Sequence, residues 1–546
     1  MKHILLVNPP VSIYLNKTAF IPLPLLVLGT CLKQIQGHGN VFSHEVLDLD
    51  LMLKQGVLPD DERFYKKAGD LILEKKPDII LFTVHGLNHL VVLKLSKRIK
   101  KQRPCLIVVG GVGPTLKAGE ALVRCPDIDV IVKGEGEPVI RHLIPEALGN
   151  GDFSNVPSVA FRKNGRVVEN PRVYLDENEP IPSPDYSLVK IGEYITHNKQ
   201  NPYVHPGFVL IESGRGCPYR CSFCAPAKMW GGRVRYRPVP EIIEEMTYLA
   251  EKGGNFSFFT QDNLEKDFLF DLSNALIKEK KNISWGCYSR LDRLPDNMAP
   301  LLSEAGCRLI FTGFETPNRN AQKKIRKVVN STSTFEKLKI FNQNKIRFIG
   351  SFIAGFSGET EEELDNTMHF AIECAVGQNF ETLNRMIDQT AQQNLPWAPE
   401  NICVIHPLFY MPGTDDFNEE QATLHISRYS LHPDCYGSFL FSHDEFKDDW
   451  SFLGSNPYIN HLPEEQVRYY CSILRLFNFL NSRPYFFAQL MRVQNKTPLT
   501  LLKKMADSLG EEFVLSEKIE IFEKKSRDYV KQYLDFVPPW TVKKGQ

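Results

Sequence analysis

Two stretches of this chain alternate short apolar runs with helix-like segments, and that alternation constrains the fold more than any other feature. The first set of runs is 3–7, 41–49, 79–84, 106–109 and 128–132; the second is 208–212, 255–260, 284–288, 308–313, 347–354 and 402–408. Strands separated by helices need crossovers, and crossovers within one sheet are right-handed, so each set predicts a parallel sheet covered by helices. Between two runs of the second set, Ile243, Met246 and Leu249 share one helical face. The expected class is therefore α/β. Residues 1–150 form a doubly wound, Rossmann-like domain, and residues 206–412 supply six βα units of a partial (β/α)6 TIM-type barrel. The stretch 151–205 reads as a linker, with a hairpin (158–162 and 166–169) around Asn164-Gly165 and then the proline-rich run 179–185. Residues 413–546 read as a helical C-terminal cap, with 464–480 its clearest amphipathic segment.

Directly after the first strand of the second set comes Ser213-Gly-Arg-Gly-Cys-Pro-Tyr-Arg-Cys-Ser-Phe-Cys, which places Cys217, Cys221 and Cys224 on one tight loop. Barrel sites gather at the carboxyl ends of strands, where this loop falls. Three thiolates can hold three irons of a cubane cluster and leave the fourth open to a small-molecule ligand. A structural zinc site would need a fourth ligand such as His205 or a distant cysteine, and the chain has no second closely spaced pair. A bacterial ferredoxin run uses two-residue gaps and a fourth cysteine before proline.

Charge and cysteine usage narrow the function classes. Sixty-five basic and sixty-five acidic residues cancel, so no global field draws the chain to nucleic acid or to an anionic membrane. The other nine cysteines, Cys31, Cys105, Cys125, Cys287, Cys307, Cys374, Cys403, Cys435 and Cys471, are scattered singly, which is no disulfide framework; buried small hydrophobes in a reducing cytoplasm are expected. The apolar run 4–7 stops at Asn8-Pro-Pro, and 21–28 is cut by Pro22 and Pro24. Neither serves as a signal peptide or a membrane span, so a soluble cytoplasmic protein is expected.

The cysteine spacing, with Phe223 between the last two, closely resembles the signature of the radical S-adenosylmethionine enzymes. The resemblance implies a 4Fe-4S cluster on Cys217, Cys221 and Cys224 as both metal ligands and catalytic centre. S-adenosylmethionine would chelate the open iron, and an electron from a donor such as flavodoxin or ferredoxin would release a 5'-deoxyadenosyl radical. It also implies roles at the strand ends. Gln261 and Asp262, in Thr260-Gln-Asp-Asn, would meet the methionine amino group. Ser289 and Arg290 would reach the ribose or carboxylate, Glu315 in Thr312-Gly-Phe-Glu-Thr resembles the family's acidic residue, and Gly355 in Ile353-Ala-Gly-Phe-Ser-Gly-Glu-Thr would pass close to adenine, with Phe223 as a wall. Taken singly, such residues are equally ordinary helix caps and core side chains.

Nearly all of residues 1–145 resembles the cobalamin-binding domain that precedes many radical modules. The likeness rests on Asn8-Pro-Pro, Pro24-Leu-Leu-Val-Leu-Gly, Gly110-Gly-Val-Gly-Pro-Thr and Gly134-Glu-Gly-Glu. It implies cobalamin contacts from Asn8, Thr83, His85, Gly110, Gly111, Gly113, Thr115, Glu135, Gly136 and Glu137; without the resemblance, the same glycines are tight turns needing positive φ. The Asp-x-His-x-x-Gly cobalt-ligand signature is absent, so the resemblance implies cobalamin held without a histidine from that motif; His85, in the turn after the third strand, is the alternative beneath cobalt and otherwise an ordinary hydrogen-bonded turn residue. Both cofactors on one chain imply methylation of an unactivated carbon of a small-molecule, lipid or peptide substrate. Radical rearrangement or cyclisation, or a non-catalytic cobalamin-binding sensor, are the alternatives.

Overall fold

The computed structural model describes residues 1–10, 18–37, 41–61, 63–84, 88–176, 178–200, 205–356, 358–376, 401–410 and 498–509, together with 414–415, 456–457, 469–470, 473–474 and 477. The chain divides into two compact units, Met1–Tyr288 with Glu304–Gly306 and Phe409–Ile459, and Ser289–Ser303 with Cys307–Leu408 and Asn460–Gln546.

The first unit begins with β1 (Lys2–Asn8), β2 (Phe42–Asp48), β3 (Ile79–Thr83), β4 (Leu106–Gly110) and β5 (Val130–Val132), parallel strands in the order β2-β1-β3-β4-β5. The order reverses between β1 and β3, the doubly wound arrangement in which ligands lie beyond the carboxyl ends of the strands. Both faces are buried because successive side chains of each strand enter different cores. Ile4 and Leu6 pack with Leu32, Ile35 and Leu143 on one side; Leu5 and Val7 pack with Phe64, Ile72 and Leu95 on the other. The expected hairpin forms as β6 (Val159–Lys163) and β7 (Arg166–Glu169). Asn164 and Gly165 both take the positive φ that a two-residue turn needs. The pair adds antiparallel to β5 and extends the first sheet to seven strands, so this part of the linker stretch covers an edge that a three-residue strand would leave open.

Farther along the same unit, β8 (Phe208–Ile211), β11 (Phe256–Phe259) and β12 (Ser284–Tyr288) run parallel, with Phe256 opposite both Phe208 and Ser284. Between β8 and β11 a separate antiparallel ladder pairs β9 (Gly214–Gly216) with β10 (Val234–Tyr236). The helix Val239–Glu251 buries Ile243, Met246 and Leu249, as their spacing predicts.

In the second unit β13 (Cys307–Glu315), β14 (Arg347–Ala354) and β15 (Ile402–Pro407) are parallel, backed by the helices Ser331–Gln343 and Glu361–Val376. The second set of expected strands is thus present as open parallel βα units, with no closed barrel among the described residues. The amphipathic segment 464–480 lies largely outside the described residues. No helix among the described residues is long and apolar enough to cross a membrane.

Candidate cofactor sites

The carboxyl ends of β3, β4 and β5 open onto a cavity of about 230 Å³. Thr83, Gly110, Gly111, Glu135, Gly136 and Glu137 line it beside Leu25, Leu28, Leu81, Val108, Val132 and Ile140; Glu212, Arg215, Met229 and Trp230 complete the wall. Gly111 holds φ 125, and a Cβ there would stand 2.1 Å from the Val84 carbonyl oxygen, so only glycine keeps the turn this close to the neighbouring strand. Thr115 Oγ1 donates to the Gly111 carbonyl (2.6 Å) and accepts from the Gly134 N–H (3.0 Å), tying two of the glycine turns together. Asn8 and Gly113 are buried but are not part of this lining; Asn8 Nδ2 donates to Asp48 Oδ1 at 2.9 Å. His85 lies outside the described residues.

The cysteine loop leaves β9 at Gly216, whose φ is 97 and where a Cβ would stand 1.9 Å from the Arg233 carbonyl oxygen. Cys217, Cys221 and Cys224 are half-buried and in no disulfide, whereas the seven other described cysteines are all buried. Burial pushes the Cys217 thiol up to about 11 and Cys224 up to about 12. These sulfurs therefore stay protonated unless a metal displaces the proton. Among the described residues no three His, Cys, Asp or Glu side chains converge on a point where one ion would sit; thiolates that each take a different iron of a cubane need no such convergence. Phe223 is half-buried between the last two cysteines.

The end of β11 is brought to this loop. Gln261 is 2% exposed, and its Nε2 donates to the Gly216 carbonyl at 3.4 Å. Asp262 Oδ2 accepts from the Trp230 indole N–H at 2.7 Å, and burial raises its carboxyl to about 6. Trp230 thereby touches both the cavity wall and the strand end beside the cysteines.

The remaining expected positions lie in the second unit. The Ser289 N–H donates to the Phe311 carbonyl (3.0 Å), and buried Arg290 pairs with Asp292 through Nε (3.0 Å) and Nη2 (2.9 Å). Glu315 sits at a bulge of β13 with φ 60, and Lys327 Nζ donates to it at 2.7 Å, both side chains being buried. Gly355 (φ 95) donates its N–H to Glu359 Oε2 at 2.5 Å.

Three residues on these walls, Glu212, Arg215 and Trp230, and Arg235 bonded to the wall residue Glu135, carry no sequence signal of their own; they read as ordinary polar or aromatic positions, and only their convergence around the cavity and the cysteine loop sets them apart.

Known proteins resemble both parts of the chain. Residues 17–144 match the B12 binding domain and residues 211–371 the Radical SAM superfamily. An uncharacterized methyltransferase of Pyrococcus horikoshii is 28% identical over 379 residues, 67% of this chain and 77% of its own length. An anaerobic magnesium-protoporphyrin IX monomethyl ester cyclase of Synechocystis is 27% identical over 65% of this chain and 69% of its own length. In fold, the chain is similar to the radical S-adenosylmethionine methyltransferase TsrM from Kitasatospora setae, solved with cobalamin and a 4Fe-4S cluster, with a TM-score of 0.60 at 17% identity over 96% of this chain and 100% of that one. The cobalamin-dependent radical enzyme OxsB gives a TM-score of 0.61 at 17% identity over 97% of this chain and 75% of that one. With a B12 binding domain followed by a radical module on one chain, the protein belongs to the cobalamin-dependent radical S-adenosylmethionine enzymes, whose cofactors are a 4Fe-4S cluster, S-adenosylmethionine and cobalamin.

Proposed function

We propose that the protein is a methyltransferase that places a methyl group on an unactivated carbon of its substrate, with residues 1–150 holding cobalamin and Cys217, Cys221 and Cys224 holding the cluster. The carrying observation is that the cavity beyond β3–β5 and the cysteine loop share a wall, through Arg215 and Trp230, within one compact unit. When bound, the cluster with S-adenosylmethionine supplies a radical strong enough to abstract hydrogen from carbon, and cobalamin supplies the methyl group. The chain's own residues bind and orient. The apolar walls of Leu25, Leu81, Val108 and Ile140, and glycines that leave the backbone bare, suit a flat heteroaromatic group such as the dimethylbenzimidazole of cobalamin. Asp262, held by Trp230, and Gln261 offer acceptors for the methionine ammonium.

The relatives include both a methyltransferase and a ring-forming cyclase, so the outcome of the reaction needs a direct test. Anaerobic incubation with reductant, candidate substrates and S-adenosylmethionine carrying a deuterated methyl group should give 5'-deoxyadenosine, S-adenosylhomocysteine and labelled product in comparable amounts. Unlabelled product with deoxyadenosine and no S-adenosylhomocysteine would assign cyclisation or rearrangement instead. Reconstituted protein should hold about four irons per chain, and replacing Cys217, Cys221 and Cys224 together with Ala should remove them along with deoxyadenosine formation.

A further inference from the structure

Glu135 and Glu137, the two carboxylates of the Gly-Glu-Gly-Glu turn, are both engaged by one side chain, Arg215. Its Nη1 donates to Glu135 Oε2 at 2.6 Å and its Nη2 to Glu137 Oε1 at 2.5 Å, while Nε and Nη2 close on Glu212 at 2.8 and 3.1 Å. The Arg215 side chain is 9% exposed, and those of Glu135 and Glu137 are 11% and 10%. Arg235 stands opposite Arg215 in the β9–β10 ladder and donates to the same Oε2 of Glu135. Like charges directly opposite across such a ladder repel. Glu135 removes that repulsion by sitting between them.

The placement of this node matters more than its strength. Arg215 is the middle residue of β9, a strand of three residues that ends at Gly216, and Cys217 follows at once. So short a strand has little pairing of its own to fix its position. A planar guanidinium gripped by three carboxylates fixes it in direction as well as distance. On the other side Glu135, Glu137, Glu212 and Arg215 are all walls of the apolar cavity. Turning either turn carboxylate toward a ligand would take from buried Arg215 one of the three carboxylates that grip it, which is costly.

We propose that Arg215 is a positioning residue that seats the cysteine loop, and that Glu135 and Glu137 serve Arg215 and are not ligands of cobalamin. The proposal rests on the reading that the cavity receives cobalamin and the cysteines hold the cluster. It is tested on the full-length, anaerobically reconstituted protein with three readouts: iron content, titration with hydroxocobalamin, and the paramagnetic resonance of the reduced cluster with and without S-adenosylmethionine. The Glu135→Gln/Glu137→Gln double variant should bind hydroxocobalamin within about threefold of wild type but lose the change that S-adenosylmethionine causes in the cluster signal. Arg215→Lys should do the same, because lysine keeps the charge and loses the fork. If the double variant does not fold, Glu137→Gln alone, which leaves Glu135 between the arginines, should show the same pattern. A fall in hydroxocobalamin affinity of about tenfold or more, or a cluster response identical to wild type, would overturn the proposal. Wild-type protein that takes up no cobalamin or no iron would sink the underlying reading, and the proposal with it.

Discussion

Arg237 and Glu245 form a buried ion pair, 2.5 Å between Nη1 and Oε2, with side chains 1% and 6% exposed. Arg237 also donates to the Glu212 carbonyl (2.9 Å) and to Ser183 Oγ (2.8 Å), and Glu245 accepts from the Tyr186 hydroxyl (2.6 Å). The pair thus fastens the end of the proline-rich stretch and the end of β8 to the helix Val239–Glu251. Burial raises the Glu245 carboxyl above its usual range in spite of the adjacent Arg237.

Breaking one partner of such a pair leaves a buried charge unanswered. Arg237→Met should lower unfolding stability by about 3–5 kcal/mol, and adding Glu245→Leu should recover most of that loss. Urea midpoints at constant slope provide the measurement. Equal losses in the single and double variants would show that the pair does not act as a unit.

Glu359 should make stability depend on pH. Its Oε2 accepts from the N–H groups of Gly355 and Phe356, its Oε1 has no partner among the described residues, and burial outweighs both hydrogen bonds to raise it from 4.5 to about 7. A carboxyl with a raised folded-state pKa favours the fold while protonated. Its contribution is therefore complete below pH 4.5 and is lost as pH rises through about 7, amounting to about 3 kcal/mol. Glu359→Gln keeps an acceptor for the two N–H groups and should flatten that part of the stability profile. A wild-type profile without a fall between pH 5 and pH 7, read from urea midpoints, would contradict the shift.

Gly216→Ala should cost both stability and cluster. The residue holds φ 97, and the added Cβ would stand 1.9 Å from a backbone oxygen that cannot swing aside. Strain and clash together should amount to about 3 kcal/mol or more. Iron retained after reconstitution should fall by about tenfold, since tenfold corresponds to about 1.4 kcal/mol at the site itself. Iron analysis and circular dichroism on the same samples separate loss of cluster from loss of fold.

Filling the cavity should exclude cobalamin and spare iron. Val108 lies on β4, is 3% exposed and forms part of the wall. Val108→Phe should cost about 1–3 kcal/mol in overpacking and remove most bound cobalamin, with iron content unchanged. In wild-type protein the cob(II)alamin resonance should lack nitrogen splitting from an axial ligand. Three-line splitting that disappears in His85→Ala would assign His85 to the cobalt.

Much of this protein is determined locally. The parallel sheets follow from apolar runs separated by helical spacing, because a strand buried on both faces must be apolar along its length; Ile4 to Val7, feeding two cores in alternation, is the clearest case. The hairpin turn at Asn164-Gly165 is equally local, since its positive φ angles are set by residue type. The cysteine loop and the glycine turns are legible because chemistry there demands particular residues at fixed spacing.

Only the tertiary structure decided that the hairpin would extend the first sheet, that Trp230 would bridge the cavity wall and Asp262, and that Arg215 would claim Glu135 and Glu137. Arg215 and Glu135 are eighty residues apart in sequence, and no periodicity or spacing rule links positions so distant. Their partnership arises because the carboxyl end of β5 and the start of the cysteine loop are packed together, and a buried guanidinium must find carboxylates wherever the fold supplies them.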